Sequence, residues 1–272
     1  MGRRLLLATL LVCSSAESAF EQMPRGARAM GLGGATVAVD GDLWASYANP
    51  ACLPSLNGAA IAVEFAPALY GIEELKRGAL SMCGTLPVGT LALSMSGFGF
   101  TLYREIRVGV AWTRALNERV ALGIGLNLYS LAIRNYGADR TVGLDLGMLV
   151  RIARGISYGF AFHNINRPTI GDNEEPLPQT MAMGVSVQPL PEALVALSAQ
   201  KDSHYPFELS LGLEYSLEDV VTIRLGAANE PSSIAAGIGL RTSMLCVDYA
   251  YSMHPDLGGT HSFSLSYSLP WP

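Results

Sequence analysis

The sequence predicts an all-β protein, a transmembrane antiparallel up-and-down β-barrel of about fourteen strands. One observation is a unit of roughly ten residues, repeated along the chain, in which apolar and polar positions alternate. A second is that the connectors between units are alternately tight and longer. The third is composition. Half of the 272 residues are hydrophobic, yet past the first twenty no apolar run reaches the ~18 residues of a helical span. Charged residues are only 15%, against about 25% in an ordinary soluble domain. Lys76 and Lys201 are the only lysines, whereas soluble sheets cover wet faces and edges with Lys and Glu.

The chain opens on an export signal, residues 1–19. Arg3 and Arg4 are its positive start, Leu5 to Val12 its apolar centre, and Ser14, Ala16, Ser18 and Ala19 its small-residue cleavage region. Cleavage is expected after Ala16 or Ala19. A lipid anchor on Cys13 is disfavoured by the bulky Val12 before it. Cys52, Cys83 and Cys246 then remain, an odd number read as small buried thiols rather than a disulfide framework.

Residues 20–56 precede the barrel and do not alternate. Gly31, Gly33 and Gly34 permit close backbone approach, Asp42 to Ala48 can make a short helical turn, and Asn49-Pro50 stops it. The glycines are not a nucleotide loop, because neither a phosphate-binding lysine nor a following strand and helix accompanies them.

The barrel, residues 57–272, is expected to hold strands at 59–69, 78–86, 90–98, 105–115, 119–132, 141–152, 156–164, 180–188, 193–201, 207–216, 220–228, 233–241, 244–253 and 261–269. In the last, Phe263, Leu265, Tyr267 and Leu269 point one way and Ser262, Ser264, Ser266 and Ser268 the other. Tight connectors fall at 87–89, 117–118, 153–155, 189–192, 217–219 and 242–243, and longer ones between them, above all at 135–140, 165–179 and 254–260. Trp112, Tyr158, Phe207, Tyr215, Tyr249 and Trp271 lie near strand ends, as an interfacial girdle requires. A closed barrel of this strand number is too wide for side chains to fill, so a water-soluble version would need two stacked sheets.

The run from Ala27 to Leu53, with Arg28, Met30-Gly31, Gly33-Gly34-Ala35, Ala38, Asp42 and Asn49-Pro50-Ala51, resembles the N-terminal signature of the PorV/PorQ family of outer-membrane proteins, related to FadL-type fatty-acid transporters. Gly143-Leu144-Asp145-Leu146-Gly147, Arg224-Leu225-Gly226-Ala227, the run from Ala236 to Arg241 and the run from Val247 to Tyr251 are similar too, so the resemblance spans most of the chain. It implies a fourteen-stranded barrel whose N-terminal segment folds into the lumen as a hatch. Three features depart from the family pattern: Cys52 replaces a common glycine, the outer loops are short for a fatty-acid transporter, and Pro272 displaces the usual aromatic end, leaving Trp271 nearest to it.

If the apolar faces meet lipid, the lumen receives Glu64, Arg107, Asp145, Arg151, Glu208, Glu214, Arg224, Arg241 and Asp248. Counting from the tight turns sets Arg224 level with Gly212 and Gly237, with Asp248 beyond Gly237 and Glu214 diagonal. The same count sets Arg107 and Asp145 on either side of Asn127 or Tyr129. Two internal charge clusters are therefore expected, Arg224 with Glu214 and Asp248, and Arg107 with Asp145, as anchors for the hatch or for one another in preference to the rival reading, a permeation site.

Catalysis and metal binding are not expected. His163, His204, His254 and His261 are wall, loop or strand-edge residues with no triad spacing, and no paired His or Cys spacing occurs. No cofactor is implied, and the net charge of −5 gives nucleic acid no purchase. The expected role is non-enzymatic and at the outer membrane, with lipid as the surrounding partner. One branch is passage of a hydrophobic small molecule, which predicts an apolar pocket beneath the outer loops, a hatch that shifts and a gap in the wall near it. The other is docking in envelope protein secretion, which predicts a blocked lumen and an apolar patch on Ile165 to Gln179, stiffened by Pro168, Pro176 and Pro178. A simple diffusion porin would need an open channel.

Overall fold

A computed structural model describes residues 19–21, 23, 25–53, 58–203 and 205–269. The signal segment up to Ser18, His204, Trp271 and Pro272 lie outside the described residues. The wall opens with β1 (Ala59–Ala66), β2 (Lys76–Leu86), β3 (Gly89–Gly99), β4 (Tyr103–Ala115), β5 (Val120–Ile133), β6 (Gly137–Ala153) and β7 (Ile156–His163). It continues with β10 (Thr180–Leu190), β11 (Ala193–Asp202), β12 (Phe207–Leu217), β13 (Val221–Asn229), β14 (Ser232–Arg241), β15 (Leu245–His254) and β16 (Gly258–Leu269). Two short pieces, β8 (Thr169–Ile170) and β9 (Glu175–Pro176), form a hairpin in the loop after β7. Each wall strand pairs antiparallel with the next, and β16 closes on β1 with Ala59 opposite Leu269 and Phe65 opposite Phe263. The result is the expected closed barrel of fourteen strands.

Alternation decides which face is which. On β3, Leu91, Leu93 and Met95 are exposed while Thr90, Ala92, Ser94 and Ser96 are buried. The same split runs round the barrel, through Leu122, Ile124, Leu126 and Leu128 of β5 to Phe263 and Leu265 of β16. Burying one such side chain is worth about 1.5–3 kcal/mol, so a belt of them facing outward is stable in hydrocarbon and not in water. Two stacked sheets with an apolar centre are thereby excluded. Phe207 and Tyr215 stand exposed toward opposite ends of β12, as girdle residues do.

The expected loop pattern needs correction. Ile133 pairs directly with Gly137, and His254 with Gly258, so 135–140 and 254–260 are largely strand. Asn135 (φ 70°) and Gly137 (φ 102°) take the left-handed region and turn the chain within Arg134 to Tyr136, which lets β5 and β6 run on past the rim. Only 67–75 and 164–179 are long. The registers at the tight turns after β12 and after β14 are also each two residues from the expected ones. Arg224 faces Glu214, not Gly212, and Asp248 pairs with Gly239, not with the row of Gly237, whereas Gly237 is opposite Arg224 as counted.

The lumen is occupied. Residues 25–53 run through it as α1 (Gly26–Gly31), α2 (Ala45–Ala48) and a 3-10 turn at Pro50–Cys52. Gly33 and Gly34, at φ 62° and 86°, end α1 while their N–H groups bond to Met30 and Ala29 carbonyls. The Asn49-Pro50 step ends α2 as expected, since Asn49 is extended.

Candidate functional site

The hatch sits against wall glycines. A Cβ built at Gly226 would lie 2.1 Å from the Gly33 nitrogen, one at Gly159 2.1 Å from the Val37 oxygen, and one at Gly123 2.5 Å from the Ala51 nitrogen. Inward glycines thus form slots into which hatch backbone is pressed. Gly31 meets Gly237 and Arg224 in the same way. Asn49, fully buried, ties this packing together: its amide donates to Val37 at 2.7 Å and to Met148 of β6 at 3.1 Å, and its oxygen accepts from Ala51 at 3.0 Å. Pro50 and Ala51 lie against Gly147, and the Thr113 hydroxyl donates to the Pro50 carbonyl.

Arg28 leaves α1 toward the wall. Its guanidinium grips Glu214 with two bonds of 2.7 and 2.8 Å and approaches Asp42 at 3.5 Å. Glu214 also accepts from Arg224 at 2.6 Å, and Arg224 reaches Asp248 at 2.7 Å. The chain Asp42, Arg28, Glu214, Arg224, Asp248 alternates in sign and joins the hatch to β12, β13 and β15. Gly239 makes the Arg224 crossing possible, since a Cβ there would sit 2.5 Å from the Asp248 carboxylate and 2.9 Å from the Arg224 guanidinium. Burial opposes the Arg28 charge, but Glu214 and Asp42 outweigh it and hold the guanidinium above its ordinary range. Burial pushes the Asp42 carboxyl up, against Arg28 and the Trp44 N–H, which favour its ionised form.

The second cluster is centred on Asn127. It accepts from Arg107 at 2.7 Å and donates to Asp145 at 2.7 Å, so it bridges two ions that stand 3.7 Å apart. Tyr129 is opposite Arg107 in register, and its hydroxyl donates to Asn164 at 3.1 Å. The hatch closes this cluster: Arg107 donates to the Ser46 carbonyl at 3.3 Å and lies over the Tyr47 ring, 4.4 Å from its centre. His163, Nδ1 3.1 Å from Asp145 and Nε2 3.0 Å from the Ala48 carbonyl, links wall to hatch. Of the remaining inward residues, Glu64 pairs with Arg77 and accepts from Gly26, and Arg151 pairs with Asp40, whereas Arg241 is exposed at the inner rim.

Above the hatch lies a cavity of about 400 Å³ beneath the outer loops. Thr36, Val37, Tyr47 and Ala48 floor it, Tyr129, Asp145, His163 and Asp202 are in its wall, and Phe20, Tyr70, Pro178 and Tyr205 lie toward its mouth. Its lining mixes aromatic rings with carboxylates, not the purely apolar pocket expected of the transport branch. The expected wall gap is not found as an unpaired strand: the barrel is closed all round, and its ladders shift register only between Arg151 and Ala153 of β6 and between Val187 and Leu190 of β10, beside the tight turns that follow those strands. Nor is the loop after β7 a protrusion. Ile170 and Leu177 are buried with Phe20 and Tyr129, which turns these two apolar residues inward as a cap, while Ile165 stays exposed. Alternation could not reveal that cap, because neither 19–25 nor 164–179 has a period; the only sequence signal was isolated apolar residues among prolines. Among the described residues no group of three His, Cys, Asp or Glu side chains could hold a metal ion.

Solved structures share this architecture. The toluene transporter TbuX of Ralstonia pickettii superposes with a TM-score of 0.69 at 12% identity, over 90% of this chain and 98% of that one. The CymD monoaromatic hydrocarbon channel gives 0.67 at 15% identity over 93% and 100%, and a Pseudomonas aeruginosa FadL homologue 0.66 at 14% over 90% and 99%. At these identities the likeness is one of fold. No family model matches the sequence, and neither does any curated protein sequence.

Proposed function

We propose that the protein resides in the outer membrane as a non-enzymatic conduit and passes hydrophobic small molecules through its lumen. The carrying observation is the cavity beneath the outer loops, whose floor is a hatch held by side-chain bonds and glycine slots rather than by a strand ladder. A volume of about 400 Å³ falls in the ordinary range of small-molecule sites, roughly 300–1,000 Å³. The toluene and monoaromatic hydrocarbon named for the neighbouring structures are of a size to enter it. Uptake of labelled toluene and labelled fatty acid, by cells carrying the protein and by cells lacking it, tests the reading. Equal uptake of both probes in the two strains would end it.

Docking in protein secretion finds less support. It called for an apolar patch on the loop after β7, and of the large apolar residues there Ile170 and Leu177 are buried, which leaves Ile165 exposed without them. Kinship with PorV/PorQ proteins rests on the motif residues from Arg28 to Ala51 in the hatch and on the wall fragments Gly143 to Gly147, Arg224 to Ala227, Ala236 to Arg241 and Val247 to Tyr251.

A further inference from the structure

The upper end of the hatch segment meets a buried acid. Phe20 is 4% exposed, its ring set edge-on to Tyr129 at 4.9 Å under Ile170 and Leu177. Its backbone nitrogen is hydrogen-bonded to the Glu105 carboxylate, which also accepts from the Tyr103 hydroxyl at 2.5 Å. Glu105 is 6% exposed, and no ion pair among the described residues includes it. A buried carboxylate without a counter-charge is costly. Phe20 also holds φ at 68°, a region that a bulky L-residue rarely enters and that is defined only while Ala19 is attached.

One of the two cleavage positions expected from the sequence is the bond between Ala19 and Phe20. We propose that a signal peptidase cuts there and that the resulting Phe20 ammonium is the counter-ion of Glu105. Water adds across the amide: the C–N bond breaks, Ala19 leaves with the new carboxylate, and the Phe20 nitrogen takes up protons to become the ammonium. The cut supplies the missing positive charge at the atom already bonded to Glu105, and it removes the left-handed torsion. The pinned end then holds the strap that leads past Arg77, whose guanidinium donates to the Met23 carbonyl, into α1.

Intact mass and N-terminal sequencing of the protein taken from membranes decide the first half. The expected first residue is Phe20; Glu17, from a cut after Ala16, or any other start overturns the proposal. Acylation of the α-amine decides the second, with Lys76 and Lys201 as the only other amines to resolve. A paired, buried ammonium should react at least ~10-fold slower in the wild type than in Glu105→Gln. Equal rates overturn the pairing, and the mass measurement stands whether or not the variant assembles.

Discussion

Arg28 and Glu214 face each other as a fork on a fork, two parallel bonds of 2.7 and 2.8 Å between the hatch and β12. This geometry is the strongest that a guanidinium and a carboxylate can make. It also makes the hatch depend on a charge supplied by the wall. Arg28→Ala leaves Asp42 without its cation and Glu214 with Arg224 alone, and removing one partner of such a pair costs about 3–5 kcal/mol when fully buried. With Arg28 19% exposed, the lower end of that range is expected. The barrel ladders do not use Arg28, so heat-modifiable migration should persist while protease cuts the hatch. Arg28→Lys should fall between, because an ammonium cannot reproduce the fork. An uncut hatch in Arg28→Ala would refute the anchoring role.

The glycine slots make a sharper test because the substitution is so small. Gly226→Ala places a methyl 2.1 Å from the Gly33 nitrogen, where backbone cannot retreat without unseating α1. Loss of at least about 1–3 kcal/mol in hatch stability is expected, the usual cost of overpacking. Gly84→Ala, on the same wall but with nothing within 4 Å of the new methyl, should be silent. Thermal melts of the two variants followed with a hatch-cleavage assay separate them. If both behave alike, the slots do not hold the segment.

The register of β12 and β13 shows where reading the sequence succeeds and fails. A slip of two residues preserves which face each side chain occupies, so Arg224, Glu214 and Asp248 were legible as inward neighbours even though their heights were miscounted. The slip lies at two turns: after β12, where Glu218 and Asp219 adopt positive φ at 50° and 57° and Leu217 pairs with Val221, and after β14, where Arg241 pairs with Cys246. Local turn geometry of that kind has no periodic signature. Arg107 and Asp145 do flank β5, but level with Tyr129 and Gly125 rather than with one shared residue, and the choice of Asn127 as the bridge depends on side-chain reach. The hatch was visible only through motif likeness, since Gly33, Gly34 and Asn49 act by fitting wall glycines far along the chain. Why Gly123, Gly147 and Gly226 are glycine becomes plain only with the hatch in place.

Asp42 gives the hatch a pH dependence of known sign. Its carboxyl is pushed up by burial, so the folded state holds the proton over a range where the unfolded chain, titrating near about 3.9, has released it. For this group stability therefore falls as pH rises from the ordinary carboxylate range toward the raised folded value. Asp42→Asn keeps an oxygen to accept from Trp44, now met by Asp42 at 2.8 Å, and removes the titration. Protease protection of the hatch, measured from pH 4 to 7, should decline less with pH in Asp42→Asn than in the wild type. An identical or steeper decline would contradict the assignment.

Cys52 offers a reporter that leaves the anchors untouched. The side chain is fully buried at the inner end of the hatch, its Sγ 3.5 Å from the Val37 carbonyl. Burial pushes the thiol well above its ordinary range, and Asp40 and Asp42 add to the effect while Arg151 opposes it. Since the thiolate is the species that alkylates, Cys52 is protected both by access and by chemistry. With the hatch seated, maleimide at neutral pH should label the Cys52 peptide at least ~100-fold more slowly than in denatured protein, a ratio that needs only about 2.8 kcal/mol of closure. Arg28→Ala should erase most of that protection and Gly84→Ala none, because only the former releases the segment that carries the thiol. Labelling of wild-type Cys52 at the denatured rate would mean that the segment from Gly26 to Leu53 does not rest in the lumen, and the anchoring by Glu214 would fall with it.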